Sequence, residues 1–417
     1  MPFYFTIKYE RSRIGSFRKP IRIKTMRLKR LFILCVALSA SVFSFADDFV
    51  YDNLKYTTSS DKSVTLVDGK SASGEVIIPS VVRNNKKVYT VTAIAHNAFE
   101  CNNAITAVTI PSSVSTIGYS AFNSCKGLQR VMDASRVVEM QGFEYTDCTS
   151  LTSVTLSGTL QKIGYRSFAV TALTRLVLPE SVKEIGGEAF QDCHQLTNVE
   201  FNKGIQYIKD HAFKNSGLAS LELPEGIKEI GEWSFEGCKS LKTVQIPQSV
   251  TTLGTGAFYT CSALESVVLP SSLTNIGDRT FNGCCHLSAV YYLGSSCPSL
   301  GQNTFVDVSN DFGFYVKPSA LPVLQGIAYV SDKVKDSFPY QQNSKYATFS
   351  RPFAVDFSAA TGLKAYIAKG NSGQSSVALT AVTTASAGTG LVLEATPNII
   401  YQLRLADNAP QYADNAL

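Results

Sequence analysis

The sequence has few of the side chains that most often carry metal, nucleotide or aromatic-stacking chemistry. Its 417 residues include four histidines and one tryptophan, and its ten cysteines are too few for a small scaffold held by disulfides. The run SAGTG at 386–390 lacks the preceding strand, the glycine spacing and the lysine of a phosphate-binding loop. The chain does have 45% hydrophobic residues, which predicts a globular protein with room for two or three domains.

Positive charge is concentrated at the N-terminus. Residues 1–46 carry ten basic side chains against one acid, Glu10. The run MRLKR is followed by the apolar stretch LFILCVALSASVFSF, and the tripeptide SFA forms a small-x-small cleavage site before Asp47. The pattern predicts a signal peptide over 26–46, and it marks 1–25 as a mis-called upstream extension.

Loss of this leader reverses the net charge. The whole chain has a formal charge of +5, whereas residues 47–417 hold 28 Lys and Arg against 32 Asp and Glu, a charge of −4. No basic excess remains to favour a nucleic-acid partner. An uncleaved leader could serve as a membrane anchor, but its apolar run is shorter than the roughly 20 residues of a spanning helix, as is every other apolar segment. We expect an exported protein at the cell surface, outside the cell or in the periplasm, with no membrane span in the mature chain.

One sequence word, LxxVxIPxSVxxIGxxAF, recurs beyond residue 90. The phenylalanines that end its copies lie at positions 99, 122, 143, 168, 190, 213, 235, 258 and 281, and Phe305 ends a degenerate tenth copy. A period of 21 to 25 residues with one strand-like run per copy predicts a solenoid. In the copy LKTVQIP, Leu241, Val244 and Ile246 are spaced to face inward from a short strand. Strands of successive turns should therefore form one parallel sheet.

Cysteine follows the same register. Five cysteines lie three residues after a closing phenylalanine: Cys125, Cys193, Cys238, Cys261 and Cys284. Cys101 and Cys148 occupy displaced versions of this position. Because neighbouring side chains would be parallel, which gives a poor S–S torsion, we expect free buried thiols. A disulfide remains open at Cys284, Cys285 and Cys297, since an exported protein meets oxidising conditions.

The repeats resemble the BspA-like class of leucine-rich repeats, which is found in surface proteins of Bacteroides-type bacteria and of some mucosal protists. The resemblance covers about 90–305 and rests on the register shared by nine turns. It implies an α/β-type repeat solenoid, a β-rich leucine-rich repeat with a parallel sheet on one face, over 99–305. It further implies an N-terminal β cap over 47–98, and a C-terminal cap and linker over 306–345 with a final strand and a short polar helix.

Two parts of the chain depart from this regular word. Around Phe143 and Phe168 the segment MDASRVVEMQGF replaces the IPxSV part of the repeat, so we expect an irregular loop there. Residues 346–417 contain short alternating apolar runs broken by Gly, Ser, Asn and Pro, which predict an all-β module. This tail resembles a β-sandwich-like module common at the C-termini of secreted proteins from the same bacteria. By that comparison it is incomplete, and a missing strand would expose a sheet edge.

Candidate catalytic clusters fit the repeat better than they fit a reaction. Cys193, next to Asp192 and His194, is at the core position of its turn, whereas a nucleophilic thiolate needs partial exposure and a base aimed at it. The run CCH at 284–286 lacks the paired spacing of a zinc site. The sequence therefore predicts a protein that is not an enzyme, with no catalytic residue, no metal and no cofactor.

The predicted sheet face is the remaining candidate for function. Between the inward-facing positions of each strand, outward residues should align in columns across the turns. We take seven of them as candidate ligand-binding residues: Arg130, Met132, Arg175, Glu200, Glu222, Gln245 and Tyr291. Met132 and Tyr291 are the expected anchors of an extended recognition surface. The alternative is a solvated face whose Thr and Val residues simply favour strand geometry.

Export, a solenoid and a lack of catalytic residues together favour adhesion. We expect a secreted or cell-surface monomer that presents its repeats to an extracellular protein or glycan, such as a host matrix or mucosal glycoprotein, or to other cells. The role of the BspA-like proteins that it resembles points the same way. One alternative is a periplasmic or surface accessory that binds polysaccharide, and another is an enzyme whose site lies in the tail.

Overall fold

The computed structural model describes residues 47–296, 298–318, 334–335, 337–341, 346–349, 355–361, 363–370, 377–385, 391–395 and 400–406. The predicted signal peptide, the upstream extension, Cys297 and the polar helix of the closing cap lie outside these residues. Within the described ranges no helix is long and apolar enough to cross a membrane.

The N-terminal part supplies a first strand to each sheet of the solenoid. Its strands are β1 (Asp48–Tyr51), β2 (Leu54–Thr58), β3 (Ser63–Asp68), β4 (Gly74–Ile77), β5 (Val81–Asn84) and β6 (Lys87–Ile94). The strands β1, β2 and β3 are antiparallel neighbours, and β6 pairs in parallel with β3. From here β4 pairs in parallel with the first long repeat strand, and β6 pairs in parallel with the first short one.

Most repeats contribute a longer strand to a front sheet and a two-residue strand to a back sheet. The front strands are β7 (Ile105–Ile110), β9 (Arg130–Asp133), β10 (Ser153–Thr155), β12 (Arg175–Val177), β14 (Asn198–Glu200), β17 (Thr243–Gln245), β19 (Ser266–Leu269), β21 (Ala289–Tyr292) and β23 (Gly313–Val316). The back strands are β8 (Thr116–Ile117), β11 (Lys162–Ile163), β13 (Glu184–Ile185), β15 (Tyr207–Ile208), β16 (Glu229–Ile230), β18 (Thr252–Leu253), β20 (Asn275–Ile276) and β22 (Ser299–Leu300). Paired neighbours are parallel, which confirms the predicted solenoid of parallel strands. The strands do not form the one sheet that the sequence predicted, because the back strands pair separately and the front strands pair in three groups, β4-β7-β9-β10, β12-β14 and β17-β19-β21-β23.

A stack of ten aromatic rings runs along the core between the two sheets. Its members are Phe99, Phe122, Tyr145, Phe168, Phe190, Phe213, Phe235, Phe258, Phe281 and Phe305, with successive centroids 4.8–5.6 Å apart. In the third turn Tyr145 enters the stack, so the sequence prediction that Phe143 closes this turn is wrong. With Tyr145 in place, the period narrows to 22–24 residues. One turn cannot bury its ring alone, so each turn depends on its neighbours.

The buried thiols form a second ladder beside the rings. Each donates to the carbonyl oxygen of the stacked aromatic residue in the preceding turn, as Cys125 does to Phe99 at 3.0 Å and Cys261 does to Phe235 at 3.2 Å. All six buried cysteines are free. Cys148 lies three residues after Tyr145, so its position is regular and not displaced. Burial raises the pKa of Cys193 to about 11, which makes its thiol unreactive.

The two shorter turns fill the cysteine position with a hydroxyl group. Thr171 Oγ1 lies 3.3 Å from Cys193 Sγ, and Ser216 Oγ lies 3.3 Å from Cys238 Sγ. In the first turn Asn102 takes the buried position and donates to two backbone carbonyls, while Cys101 is exposed. The position is therefore a structural one that several small polar groups can fill.

The α part of the predicted α/β class is corrected, since the described residues contain no α-helix. In every turn the residues two before and two after the stacked ring have positive φ, as Ser120 (φ 56°) and Ser124 (φ 57°) do around Phe122. A left-handed residue interrupts a right-handed helix. The chain therefore closes each turn through bends, and the back of the solenoid carries two-residue strands.

The irregular segment lies in one of the two turns where it was expected. Residues 134–138 form no strand, and the back sheet is reduced there to a single bridge between Glu139 and Lys162. The turn of Phe168 is regular, because β11 pairs with β13 and Phe168 keeps its place in the stack.

The described residues after 334 are mainly strands. They are β24 (Val334–Lys335), β25 (Ser337–Gln341), β26 (Tyr346–Phe349), β27 (Val355–Asp356), β28 (Lys364–Gly370), β29 (Val377–Val382), β30 (Thr384–Ala385), β31 (Leu391–Glu394) and β32 (Ile400–Leu405). After β24, which extends the front sheet beside β23, they form two antiparallel four-stranded sheets, β25-β32-β27-β30 and β26-β31-β28-β29. We call these two sheets, β25 to β32, the C-terminal module. Their apolar side chains share one buried cluster with Val268, Ala289 and Tyr315 of the front sheet.

Candidate functional site

The front sheet places most of the predicted ligand-binding residues on one exposed surface. Arg130 and Met132 lie on β9, Arg175 on β12, Glu200 on β14 and Gln245 on β17, and all five side chains are exposed. The parallel register aligns them in columns. Arg175 pairs with Asn198 across the ladder, and Val177 pairs with Glu200. Glu222 is also exposed, but it lies between β15 and β16, where the described chain forms no front strand.

Tyr291 differs from the other predicted residues. Its side chain is half-buried, its ring stacks on Tyr315 with centroids 5.3 Å apart, and it packs against the cluster that the C-terminal strands share with the front sheet. Val268, one turn earlier in the same column, is buried in that cluster. Tyr291 is therefore a contact of the C-terminal module, in place of the free anchor that the sequence predicted.

Beyond the C-terminal module the same columns are not covered by any other described part of the chain. We call this surface the open front face, and it comprises Glu75, Ile77, Thr109, Arg130, Met132, Ser153, Thr155, Arg175, Val177, Asn198, Glu200, Ser220, Glu222, Thr243 and Gln245. Three of its apolar side chains are more than half exposed, at 66% for Ile77, 55% for Met132 and 53% for Val177. They alternate along one column with the threonines Thr109 and Thr155, so this column combines apolar and hydroxyl groups.

Sequence reasoning missed Ile77 because it lies ahead of the repeats that were recognised. It pairs with Thr109 across β4 and β7, so it belongs to the same column as Met132. The segment VIIPSVV, at 76–82, contains IPSVV, a close variant of the IPxSV part of the repeat word, and could have revealed it.

Charge on the open front face is largely paired within the protein. Arg130 lies 3.7 Å from Glu75, and Arg175 forms an ion pair with Glu200. Both pairs are exposed, and exposed pairs add little to stability, so their side chains remain available to a charged partner.

A polar site lies inside the third turn. The buried carboxylate of Glu144 accepts hydrogen bonds from the backbone N–H groups of Gln141 and Gly142 and from the Ser167 hydroxyl. Burial raises the pKa of Glu144 above its ordinary value, and it does the same for Asp133 nearby. With no exposure to solvent, Glu144 serves the fold of the irregular turn and does not meet a substrate.

The two cysteine–histidine clusters of the sequence are not arranged for catalysis. Cys193 is buried, and Nδ1 of the exposed His194 lies 2.9 Å from the Asn215 carbonyl oxygen. Cys285 Sγ lies 3.4 Å from His286 Nδ1, but this nitrogen is only 2.6 Å from the Ser262 carbonyl oxygen. Among the residues that the structure describes, no three His, Cys, Asp or Glu side chains converge as metal ligands would.

Comparison with known proteins assigns the repeats. The family model described as a BspA-type leucine-rich repeat region, in six copies, matches residues 83–197 and 183–310. A comparison with curated proteins found no match.

Solved structures that match the chain include leucine-rich repeat proteins of several bacteria. One from Bacteroides ovatus is 25% identical, covers 66% of this chain and 81% of its own, and has a TM-score of 0.48. A leucine-rich cell-surface protein from Faecalibacterium prausnitzii is 21% identical over 66% of this chain and 97% of its own, with a TM-score of 0.31. The pneumococcal vaccine antigen PcpA is 20% identical over 69% of this chain and 98% of its own, with a TM-score of 0.32.

Proposed function

Since this chain belongs to the BspA-type leucine-rich repeat family, we propose that it is an exported, non-enzymatic adhesion protein that binds its partner through the open front face. The partner we propose is an extracellular matrix or mucosal glycoprotein, or the surface of another cell. The leader-like sequence before Asp47 supports export. We further propose that the mature protein acts as a monomer without cofactor.

One observation carries the choice of this surface. The C-terminal module packs on Val268, Ala289 and Tyr315, which continue the columns of the open front face. These columns therefore already form one protein–protein contact within the chain. Ile77, Met132 and Val177 offer comparable apolar side chains that the described part of the chain leaves exposed. Buried apolar contacts at the centre of an interface, within a polar rim, supply most of the binding energy in such complexes.

Binding of the mature chain to immobilised matrix proteins, mucins and bacterial cells tests the proposal. We expect saturable binding to at least one of them. A variant carrying Met132→Glu and Val177→Glu should weaken it by about tenfold or more, because two carboxylates would then face the apolar contact.

Val88→Glu is the matched control. Val88 is also exposed and on a strand, but it lies on β6, away from the open front face. The control should bind as the unmodified protein does. A screen without saturable binding would contradict adhesion, and a double variant with unchanged affinity would contradict the open front face as the binding surface.

A further inference from the structure

Three aromatic side chains form a row on another part of the solenoid. The ring centroids of Tyr119 and Phe143 are 5.1 Å apart, and those of Phe143 and Tyr165 are 5.4 Å apart. Tyr119 is 44% exposed, Tyr165 is 47% exposed and Phe143 is half-buried. We call this row the aromatic strip. Tyr119 and Tyr165 follow the back strands β8 and β11, so the strip is distinct from the open front face.

The repeat does not require aromatic residues here. Three positions before the stacked ring, where Tyr119 and Tyr165 lie, other turns carry His96, Gly187, Asp210, Glu232, Thr255, Asp278 or Gln302. These small or polar residues support the same turn geometry, because the ladder there is made by backbone groups such as the His211 N–H donating to the Glu232 carbonyl. The strip is therefore an addition to the repeat, and it lies at the irregular third turn.

A glycine makes room between the two tyrosines of the strip. Phe143 has a φ of 59°, as the residue two before the stacked ring has in every turn, so its backbone is that of the regular repeat. Gly142 lies between the two tyrosines in their column with a φ of 123°. A β-carbon there would come within 3.1 Å of the Tyr165 carbonyl oxygen and 3.7 Å of the Tyr119 ring. The glycine lets the Phe143 ring lie between its two neighbours, and the three rings form one continuous apolar row.

The charges beside the strip are already balanced. The Arg166 guanidinium lies over the Phe143 ring, 5.8 Å from its centroid. Glu188 accepts a hydrogen bond from Arg166 and another from the Tyr165 hydroxyl. A cationic ligand would compete with Arg166 for the electron-rich ring face, and an anionic ligand would find the Arg166 guanidinium already paired with Glu188. The strip therefore favours a neutral ligand.

From this geometry we propose that the aromatic strip binds a neutral saccharide. The C–H groups on one face of a pyranose ring carry partial positive charge, which complements the negative face of an aromatic ring. The Tyr165 hydroxyl, Glu188 and Arg166 lie at the side of the strip, where they can exchange hydrogen bonds with sugar hydroxyls. Two exposed rings flanking a third offer room for more than one sugar unit.

The test is binding of the full mature chain to an array of neutral hexose and N-acetylhexosamine oligosaccharides, with calorimetry on the strongest binder. A variant with Tyr119→Ala and Tyr165→Ala should lose affinity by about tenfold or more, since both exposed rings are removed. Tyr165→Phe keeps the ring and should retain most of the affinity. Binding should change little between low and high salt, because the ligand is uncharged.

Tyr51→Ala is the matched control, because Tyr51 is about equally exposed but lies on β1. If the double alanine variant does not fold, Tyr119→Leu replaces it, because leucine removes one exposed ring and keeps an apolar side chain. This variant should also bind the saccharide more weakly. No binding to the neutral array, binding that survives the loss of both rings, or binding confined to charged ligands and lost in salt would each overturn the proposal. The Met132→Glu and Val177→Glu variant should keep saccharide binding, which separates this site from the open front face.

Discussion

At the scale of single residues, Glu144 is the clearest example of one side chain that holds a turn of the fold in place. It is fully buried, and it satisfies two backbone N–H groups of the irregular turn and the hydroxyl of Ser167 in the next turn. A buried group with several partners holds one conformation, but a charged one carries a desolvation cost. The sequence analysis missed this role because it took Phe143 as the closing residue of the turn. Once Tyr145 is aligned with the stacked rings, Glu144 falls at the position where most turns have alanine or another small residue.

The raised pKa of Glu144 predicts a pH-dependent effect of its replacement. A carboxyl group whose pKa is higher in the folded state stabilises the fold fully below its unfolded pKa, and it loses that contribution as pH rises through the folded value. Glu144→Gln removes the charge and keeps an acceptor for the turn, so it should become progressively more stabilising as pH rises above about 4.5. Urea unfolding at pH 4.5 and pH 8 measures this difference.

Glu144→Ala is the control for the hydrogen bonds themselves. It leaves the Gln141 and Gly142 N–H groups without their acceptor, so it should be about 2–4 kcal/mol less stable than Glu144→Gln at both pH values. A Gln variant whose effect does not change with pH would contradict a pKa of Glu144 that is higher in the folded protein than in the unfolded chain.

At the scale of elements, the glycine of the repeat word determines how closely two turns approach. Gly254 is the glycine of the repeat word in its turn, and its φ is not in the left-handed region. A β-carbon at Gly254 would instead lie 2.6 Å from the Glu232 nitrogen of the preceding turn, and one at Gly277 would lie 2.6 Å from the Thr255 nitrogen. The glycine is needed because the backbones of adjacent turns are in contact there.

Gly254→Ala should therefore destabilise the solenoid by about 3 kcal/mol, because the backbone that it meets cannot rotate away. Gly158→Ala is the matched control, since nothing lies within 4 Å of a β-carbon there. The control should leave the free energy of unfolding within about 0.5 kcal/mol, or raise it slightly by restricting the unfolded chain. Equal effects of the two substitutions in chemical denaturation would contradict the close approach of turns.

At the scale of the whole molecule, the C-terminal module determines how much of the front sheet is available. Each turn of a solenoid contacts mainly its neighbours, so the columns could in principle stay open from end to end. Here the apolar side chains Val268, Ala289 and Tyr315 are buried under C-terminal strands, while Gln245, one turn before Val268, is exposed. The open front face therefore ends at a boundary between adjacent turns.

Val268→Asp should detach the C-terminal module from the sheet, because a carboxylate without a partner would be buried in their shared cluster. Limited proteolysis followed by mass spectrometry should show cleavage of the C-terminal strands about tenfold faster than in the unmodified protein. Gln245→Asp places the same charge one turn away on exposed surface and should leave the rate unchanged. If both variants are cleaved at the rate of the unmodified protein, the module is not held by this contact.

The sequence by itself determined the features that repeat. Its period predicted the solenoid, the parallel sheet and the inward cysteines, and it aligned Arg130, Met132, Arg175, Glu200 and Gln245 on one face. These could be read because each depends on contacts between equivalent positions of adjacent turns, which leave a periodic pattern. The tertiary structure decided that Tyr145 replaces Phe143 in the core, that Tyr291 is covered, and that Tyr119, Phe143 and Tyr165 meet. The cover over Tyr291 comes from strands outside the repeats, which share no period with it. In the third turn two aromatic residues, Phe143 and Tyr145, could each have closed the repeat, and only the packing of the folded chain decides which ring enters the core.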